Sequence, residues 1–515
     1  MKKFTITLIV LISICEIMNA QIAFQKTYGS PNADAGNYVL QTNDGGYIIA
    51  GSASDFINGS GSDAYLIKTD GNGAIQWSKT YGYTFDEFTT CVQQTNDGGY
   101  IIAGIAGIGQ PQGRGFLIKT TSVGDTSWTR IYGTEINALY SVRQTSDGGY
   151  IAGGVASGSS SNSYGVAIRV DIAGNILWAK RYGDGVSAND IISIHEIQQT
   201  NDGGYIAGTN GASSSCAASL LKLNSAGDTT WSRKFEPYYY GISSVQQTLD
   251  GGYIIGSIYK NGSFGNPAFI KLDANGNIVW NKVYSVNTWC DLKYIRQISS
   301  GEYIALVEYS NVKLMLKINA TGTCLWSEQY QLPFSDVEFK CIQQTNDGGF
   351  VFTGTVGTNW NHDVGLIKTN SNGLSGCNEV PYVISLTSQQ ITSQSSISPV
   401  TTLSIATSYL SSIFVNSPST IVSTLCSSVG IKQLPENSQK VNIYPNPASH
   451  FVTLDNNNDA VLTLNIYNGF GTIVKSETLN KNQKEISVED LSNGVYIIQI
   501  RSKEWSGIQR LIIQR

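Results

Sequence analysis

The chain has 515 residues, and its 33 Lys and Arg against 38 Asp and Glu give a net charge of −5. Because this balance is acidic and no basic run is present, the sequence predicts no nucleic-acid partner and no anionic membrane partner. The 54 Gly and 28 Tyr, with only 14% charged residues, indicate a turn-rich all-β protein. The length allows more than one folded unit.

Residues 1–20 have the pattern of a secretory signal peptide. Lys2 and Lys3 precede an apolar run from Phe4 to Cys15, and the small residue Ala20 stands before Gln21. This arrangement predicts cleavage after Ala20 and an oxidising destination. No later stretch reaches the ~18 apolar residues of a membrane helix, so the sequence predicts no transmembrane segment.

An Asp-Gly-Gly-aromatic motif recurs along residues 21–376. The six full copies begin at Asp44, Asp97, Asp147, Asp202, Asp250 and Asp347, and Ser300-Gly301-Glu302-Tyr303 is a degraded copy. Successive copies are 47 to 55 residues apart, a period typical of propellers and other closed arrays. Because the motif separates two alternating runs, it predicts a hairpin turn in each of seven units.

Each unit also contains a third strand ending in Ile-Lys or its equivalent and a fourth strand carrying Trp, which makes four antiparallel strands. The Trp residues are Trp77, Trp128, Trp178, Trp231, Trp280 and Trp326, six for seven units. The segment from Phe24 to Gly29 matches the one from Trp77 to Gly82. We therefore predict a seven-bladed β-propeller whose N-terminal strand completes the last blade. The Trp residues are expected in the core and the repeated Asp residues in turns, not as calcium ligands.

The loops between second and third strands, and the links between blades, vary in length and share one end of the predicted propeller. Such loops are where recognition usually occurs. Candidate binding residues on this variable face are Tyr83, Asp86, Tyr239, Trp289, Trp360 and His362. Exposed aromatic side chains with polar neighbours suit a glycan or a protein partner.

No familiar catalytic string is present: the sequence contains no HExxH, GxSxG, P-loop or CxxC motif. The sequence therefore predicts no catalytic residue, no metal site and no cofactor. Carboxylate pairs such as Asp86-Glu87 leave an enzyme possible, since acid and base roles depend on spatial separation.

The segment 377–440 differs in composition from the repeats. No charged residue occurs from Val380 to Ile431, and 22 of the 50 residues from 381 to 430 are Ser or Thr. This composition predicts a flexible linker, or a small hairpin clamped by a Cys377–Cys426 disulfide. After signal removal seven Cys remain, so at least one thiol has no partner within the chain.

Residues 441–515 read as a separate small β unit. Asn442-Ile443-Tyr444-Pro445-Asn446-Pro447 opens it, Leu491-Ser492-Asn493-Gly494-Val495-Tyr496 begins a later strand, and a basic strand ends at Arg515. The segment resembles the type A C-terminal sorting domain of the Bacteroidota type IX secretion system. The resemblance implies a small β-sandwich, with Tyr444, Pro445, Asn446, Pro447, Gly494, Tyr496 and Arg515 as its signal residues. It also implies the secretion machinery as partner, passage through the periplasm, and a secreted or outer-membrane surface location.

Together these features predict an exported propeller that acts as a binding or surface-interaction module. Two alternatives remain at this point: an enzyme acting on extracellular polysaccharide or protein, and a structural matrix component. Carboxylates around a deep pocket would favour the enzyme, and a flat face would favour the matrix component.

Overall fold

The computed structural model describes residues 21–515 with the exception of several short segments: 55–60, 83–85, 109–112, 158–162, 184–190, 212–217, 237, 263, 287, 359–360, 388–391, 396–399, 404–406, 409–413, 419, 429–441, 456–461, 468–472, 480–484 and 502–505. The predicted signal peptide lies outside the described residues. The described chain is all-β and divides into two compact units, residues 1–430 and 431–515.

The first unit begins with strand β1 (Ala23–Gly29) and continues as repeated groups of four strands. Sheet 1 contains β2 (Asp34–Gln41), β3 (Tyr47–Ser54), β4 (Ser62–Thr69) and β5 (Ile75–Gly82). Sheet 2 contains β6 (Asp86–Gln94), β7 (Tyr100–Ile108), β8 (Arg114–Thr120) and β9 (Thr126–Tyr132). Sheet 3 contains β10 (Ile136–Gln144), β11 (Tyr150–Ser157), β12 (Ser163–Val170) and β13 (Ile176–Tyr182). Sheet 4 contains β14 (Ile191–Gln199), β15 (Tyr205–Gly211), β16 (Ala218–Leu223) and β17 (Thr229–Glu236).

The remaining groups follow the same antiparallel order. Sheet 5 contains β18 (Tyr239–Gln247), β19 (Tyr253–Asn261), β20 (Phe264–Leu272) and β21 (Ile278–Ser285). Sheet 6 contains β22 (Cys290–Gln297), β23 (Tyr303–Tyr309), β24 (Val312–Ile318) and β25 (Cys324–Tyr330). Sheet 7 contains β26 (Asp336–Gln344), β27 (Phe350–Thr358) and β28 (Asn361–Thr369), and takes β1 as its fourth strand. These groups form a β-propeller-type fold.

The N-terminal strand completes sheet 7, as the sequence predicts. β1 pairs antiparallel with β28, with Phe24 opposite Lys368 and Tyr28 opposite Val364. Phe24 takes the place that Trp occupies in the other sheets: its ring lies 6.2 Å from that of Tyr47, as Trp77 lies 5.9 Å from Tyr100. Strand β1 therefore buries an aromatic side chain against the next sheet and covers the edge of β28.

A ring of hydrogen bonds joins consecutive sheets. In each of the seven, a backbone N–H at the hairpin turn donates to the side-chain oxygen of the Gln that ends the first strand of the next sheet, over 2.7–2.9 Å. The pairs are Asn43 to Gln94, Asn96 to Gln144, Ser146 to Gln199, Asn201 to Gln247, Leu249 to Gln297, Ser299 to Gln344 and Asn346 to Gln41. The last pair links sheet 7 back to sheet 1.

The repeated Asp stabilises the hairpin turn and also forms an ion pair with the third strand. Asp97 accepts a hydrogen bond from the backbone N–H of Gly99 over 3.0 Å, and the buried Lys119 ammonium lies 2.8 Å from its carboxylate. Every sheet has an equivalent pair: Lys68–Asp44, Lys119–Asp97, Arg169–Asp147, Lys222–Asp202, Lys271–Asp250, Lys317–Glu302 and Lys368–Asp347. The Ile-Lys ending of the third strand thus supplies a cation to each turn. Gly45 has φ +82°, which the turn requires and a side chain would strain.

The Ser/Thr-rich segment is not a linker or a hairpin. Its residues 379–428, called the strap below, form seven short strands: β29 (Glu379–Pro381), β30 (Ser385–Thr387), β31 (Thr392–Ser395), β32 (Val400–Thr402), β33 (Thr407–Ser408), β34 (Phe414–Asn416) and β35 (Ile421–Ser428). Each pairs antiparallel with the outermost strand of one sheet, visiting sheets 6, 5, 4, 3, 2, 1 and 7 in turn. In the described part of the strap, each strand takes its backbone partners from the edge of a sheet. Residues 429–441 of the predicted linker lie outside the described part of the chain.

The second unit contains two sheets around one apolar cluster. The three-stranded sheet contains β36 (Asn442–Tyr444), β37 (Phe451–Asp455) and β40 (Glu485–Ser487); the four-stranded sheet contains β38 (Leu462–Tyr467), β39 (Ile473–Leu479), β41 (Gly494–Arg501) and β42 (Ser506–Ile513). Val452 from the first sheet and Leu464 and Ile498 from the second are fully buried in the shared cluster.

Candidate functional site

The innermost strand of every sheet contains a β-bulge at the same place. In sheet 1, Gly36 pairs with Gly51 and Tyr38 with Ala50, so Asn37 has no partner opposite it. The other six innermost strands repeat this shift. A bulge redirects the side chain of its extra residue, and bulges are common beside functional sites.

All seven bulged residues line one cavity of about 360 Å³. They are Asn37, Thr90, Tyr140, His195, Ser243, Lys293 and Lys340, here called the bulge ring. Each stands seven positions before the first residue of its hairpin motif, so it lies towards the opposite end of the strand from the Asp turn. The central cavity is thus at the end where the variable loops were predicted, and each sheet contributes one equivalent side chain to it.

The floor of the central cavity is a buried polar network from sheets 1, 3, 4 and 6. Its members, called the floor cluster, are Tyr38, Arg143, Glu196, Tyr294 and Arg296. The hydroxyls of Tyr38 and Tyr294 lie 2.8 Å apart, although they come from sheets 1 and 6. Arg143 donates to the Tyr38 hydroxyl over 2.7 Å and to Glu196 over 3.1 Å. Side chains from different sheets therefore meet across the channel.

Glu196 joins the two guanidinium groups of this network. Arg296 pairs with the same Glu196 oxygen that Arg143 contacts, and the other carboxylate oxygen accepts the backbone N–H of Val245 over 2.9 Å. The Arg296 guanidinium also lies 3.9 Å from the Tyr294 ring centroid. Burial raises the pKa of Tyr38 and of Tyr294, which keeps both hydroxyls protonated. With two guanidinium groups and one carboxylate, the floor cluster has a net positive charge.

Two lysines of the bulge ring share one carboxylate. Glu338 lies 2.8 Å from the Lys293 ammonium and also pairs with Lys340. Burial lowers the pKa of Lys293, but hydrogen bonding to Glu338 and the nearby negative charges outweigh burial and raise it. Two ammonium groups, from sheets 6 and 7, therefore meet at one carboxylate of sheet 7.

Tyr140 and His195 form a flat surface at the cavity wall. Their rings are stacked with centroids 4.9 Å apart and planes 24° apart. His195 Nε2 lies 2.8 Å from the side-chain nitrogen of Asn210. Burial lowers the pKa of His195 to about 4, so the imidazole is neutral at ordinary pH.

A second cavity, of about 670 Å³, lies between sheets 6 and 7. Its polar lining includes Asn311, Lys313, Gln329, Asp336 and Glu338. The predicted binding residue His362 is in this lining, with Nε2 3.4 Å from Asp336 Oδ2. The cavity therefore contains one of the six predicted residues.

The other predicted residues are not brought to a common site. Asp86 accepts the backbone N–H of Ser62 over 2.7 Å and fixes the start of β4. The prediction that Tyr239 binds a ligand is corrected. Its side chain is 1% exposed, because it packs with Tyr259 in the core of sheet 5, and it is not available to a ligand. Tyr83 and Trp360 lie outside the described residues.

Trp289 is 41% exposed and lies against the backbone of Gly265, where a side chain would approach its ring to about 3.0 Å. Tyr238 and Phe264, 62% and 47% exposed, belong to the same part of sheet 5. These three exposed side chains are called the aromatic patch below. It is separate from the lining of both cavities.

Within the described residues, no cluster of three or more His, Cys, Asp or Glu could hold a metal ion. Cys91, Cys290 and Cys341 are buried free thiols, and Cys324 is half-buried. Cys91 accepts a hydrogen bond from Arg143 over 2.9 Å beside the floor cluster. Burial raises the pKa of Cys341 to about 11, which disfavours a reactive thiolate there.

In the second unit, the motif residues at the two ends of the sequence meet. Asn446 accepts the backbone N–H of Ile512 over 2.8 Å, and Arg515 donates to the carbonyls of Ser449 and Val488, each over 2.8 Å. Tyr496 donates to the carbonyl of Ser492 over 2.9 Å. Tyr444 is 54% exposed beside this junction.

Comparison with protein families identifies the second unit. The model described as "Secretion system C-terminal sorting domain" matches residues 442–514. These residues are a secretion system C-terminal sorting domain. The sorting domain indicates export by the type IX system, with secretion and cell-surface localisation, and its partner is that machinery. Among the described segments there is no helix of the length and apolar character needed to cross a membrane.

No curated protein matches the sequence. Among solved structures, the chain is similar to Drosophila Semaphorin 1b extracellular domains 1-2, with 8% identity, a TM-score of 0.40, and coverage of 68% of this chain and 87% of that one. It is also similar to the extracellular domain of the putative one-component system BT4673 from B. thetaiotaomicron, with 12% identity, a TM-score of 0.32, and coverage of 93% and 74%. These likenesses carry no argument about what this protein binds.

Proposed function

We propose that this protein is an exported seven-bladed β-propeller that binds a small polar ligand, such as the end of a glycan, in its central cavity. The seven sheets, the hydrogen bond from Asn346 to Gln41 and the pairing of β1 with β28 support the blade count. The two sheets of the sorting domain around their common cluster support a C-terminal β-sandwich.

The observation that carries the proposal is the set of seven bulges. Every innermost strand has a register shift at the same place in the repeat, and the extra residue there lines the central cavity in every case. A bulge also increases the local twist of its strand, so the support for a site comes from the placement of all seven extra residues on one cavity. The cavity volume is within the range of small-ligand sites, ~300–1,000 Å³.

The lining of the cavity is also held by its own contacts. The floor cluster links four sheets through hydrogen bonds and ion pairs, so the lining is held in place before a ligand arrives. A preformed site loses little conformational freedom on binding. The mixture of hydroxyl, amide, ammonium and stacked ring groups suits a hydroxylated ligand better than an apolar one.

An enzyme acting on polysaccharide is the second candidate. Glu308 and Glu338 both contact the Lys293 ammonium, at 3.7 and 2.8 Å. Burial raises the pKa of Glu308; burial also opposes ionisation of Glu338, but its lysine hydrogen bonds outweigh this and lower its pKa. Such opposed carboxylates can act as acid and base. Glu308 is, however, 5% exposed and lines neither cavity, so the binding function is favoured.

The test is binding of the purified exported protein to a panel of oligosaccharides, with turnover measured on the same panel. Tyr140→Ala removes the cavity's stacking surface, and Ser243→Phe fills the cavity. Both should weaken binding by about tenfold or more. The matched control is Tyr238→Ala, which removes an exposed Tyr outside the cavity and should leave affinity unchanged.

Loss of binding on Trp289→Ala with no effect of Tyr140→Ala or Ser243→Phe would move the site to the aromatic patch and contradict the proposal. Turnover that disappears in Glu338→Gln would establish the enzyme instead. If the protein neither binds nor turns over any member of the panel, the structural matrix role becomes the better account.

A further inference from the structure

The lining of the central cavity carries more cations than carboxylates. Its lining contains the cations Arg143, Lys293 and Lys340 and a single carboxylate, Glu196. Arg296, immediately below, is also cationic and shares that carboxylate with Arg143. Outside this lining, Lys293 also contacts the carboxylates of Asp291, Glu308 and Glu338, at 3.2, 3.7 and 2.8 Å. The excess of cations therefore belongs to the surface that a ligand meets, where the low effective dielectric constant strengthens their attraction for an anion.

Lys293 and Lys340 already bind a carboxylate, that of Glu338. Lys293 and Lys340 come from neighbouring sheets and converge on this one carboxylate. Glu338 itself lines the cavity between sheets 6 and 7, whereas the lysines line the central cavity. The two lysines therefore already bind one carboxylate, that of Glu338 in the neighbouring cavity. An anionic group that enters the central cavity would meet the same two ammonium groups.

The rest of the lining suits a sugar. Asn37, Thr90 and Ser243 bring amide and hydroxyl groups to the lining, and Tyr140 stacked on His195 offers a flat ring surface. The Asn37 amide nitrogen and the Thr90 hydroxyl already donate to the carbonyls of Thr89 and Leu139, over 2.8 and 2.7 Å, so their oxygens serve as acceptors for a ligand. Sugar hydroxyls need closely spaced donors and acceptors, and sugar rings pack on aromatic faces. Among the described lining residues, Phe88 is the one purely hydrocarbon side chain. An acidic peptide would therefore find no apolar pocket here for the side chains next to its carboxylate.

We propose that the central cavity binds a carboxylate-bearing saccharide, a uronic-acid unit, with its carboxylate facing Lys293, Lys340 and Arg143. This inference rests on the proposed function and specifies its ligand class. Glu338 then competes with the ligand for the two lysines and limits the affinity.

The experiment measures the affinity of the purified exported protein for an oligouronate and for the neutral oligosaccharide of the same linkage. The oligouronate should bind at least about tenfold more tightly, and its affinity should fall as salt is raised. Lys340→Gln and Lys293→Gln should each weaken oligouronate binding about tenfold and weaken binding of the neutral oligosaccharide by a smaller factor. Glu338→Gln should tighten oligouronate binding.

Lys313→Gln is the matched control: this lysine pairs with Glu308 and lines the other cavity, so its loss should not change oligouronate affinity. Equal affinity for the charged and neutral sugars, with Tyr140→Ala still abolishing both, would overturn this inference and leave the proposed function standing. Binding of an acidic peptide but of neither sugar would overturn it in favour of a protein ligand. If Glu338→Gln bound the oligouronate more weakly than the parent protein, Glu338 would not be competing with the ligand for the two lysines.

Discussion

Cys377 and Cys426 are joined by a disulfide, with Cα atoms 5.9 Å apart although 49 positions separate them in the sequence. Between the two residues the strap pairs with the outer edge of all seven sheets. The disulfide therefore closes this segment covalently around the sheets, and Gln25 of β1 donates to Glu379 beside the junction over 3.1 Å. Opening the bond leaves the strap held by its short strand pairings.

Removing this disulfide should destabilise the first unit. For Cys377→Ser with Cys426→Ser, the chain-entropy estimate for a loop of this length is about 4 kcal/mol. Denaturant unfolding measures the loss, and hydrogen exchange should show the greatest gain over residues 379–428. Cys324→Ser removes a free, half-buried thiol and serves as control. An unchanged unfolding midpoint in the double variant would show that the strap is held by its pairings alone.

The turn carboxylates should make stability sensitive to strong acid. Burial opposes ionisation of Asp97, but hydrogen bonds from Lys119, Thr95 and the turn backbone outweigh it and lower the pKa to about 2; Asp202 is equivalent. Because the folded pKa is below the unfolded ~3.9, the contribution is complete above about pH 4 and is lost as pH falls towards 2. Asp97→Asn should flatten this part of the curve of unfolding midpoint against pH, whereas Asp125→Asn, outside the motif, should not.

Protonation of His195 should make the stability of the folded protein depend on pH in a higher range. Burial lowers its pKa to about 4 from the unfolded ~6.5, so the unfolded state takes up the proton first and stability is lost as pH falls from about 6.5 to 4. His195→Gln should remove this loss in thermal unfolding measured at pH 7 and pH 4.5. His450→Gln, an exposed residue, should behave like the parent protein. Equal pH dependence in the two variants would contradict a buried neutral imidazole.

The carboxylate of the floor cluster should be essential for stability. Glu196→Gln leaves Arg143 and Arg296 buried without an anion, and loss of one partner of a buried pair costs about 3–5 kcal/mol. Urea unfolding gives the change in free energy. Glu135→Gln, at an exposed position, is the control and should stay within about 0.5 kcal/mol of the parent.

The sorting domain should determine where the protein accumulates. A chain truncated before residue 442 lacks the domain that the type IX machinery recognises, and it should remain in the periplasm while the full chain reaches the medium or cell surface. Fractionation with immunodetection measures the distribution. Equal export of the truncated chain would contradict a required role for this domain.

The local pattern of the first unit was predictable because its signals are short-range. Gly45 at positive φ and the alternating runs around it specify a hairpin, and the match of Phe24 to Trp77 specifies which strand closes sheet 7. The candidate site was predicted less well. The loops suggested Tyr239, but burial in sheet 5 removes it, and Lys293 and Lys340 were missed although the repeat places both seven residues before a turn.

The sequence by itself determined the period, the turn chemistry, the closing strand and the sorting domain, since each depends on residues near one another or on a direct match between repeats. Only the tertiary structure decided which side chains enter the channel, because a one-residue bulge changes the face on which a strand residue lies. It also decided the path of the strap. The strap's strands of two to eight residues are too short to be stable by themselves, and each pairs with the edge of a folded sheet that offers hydrogen-bond partners.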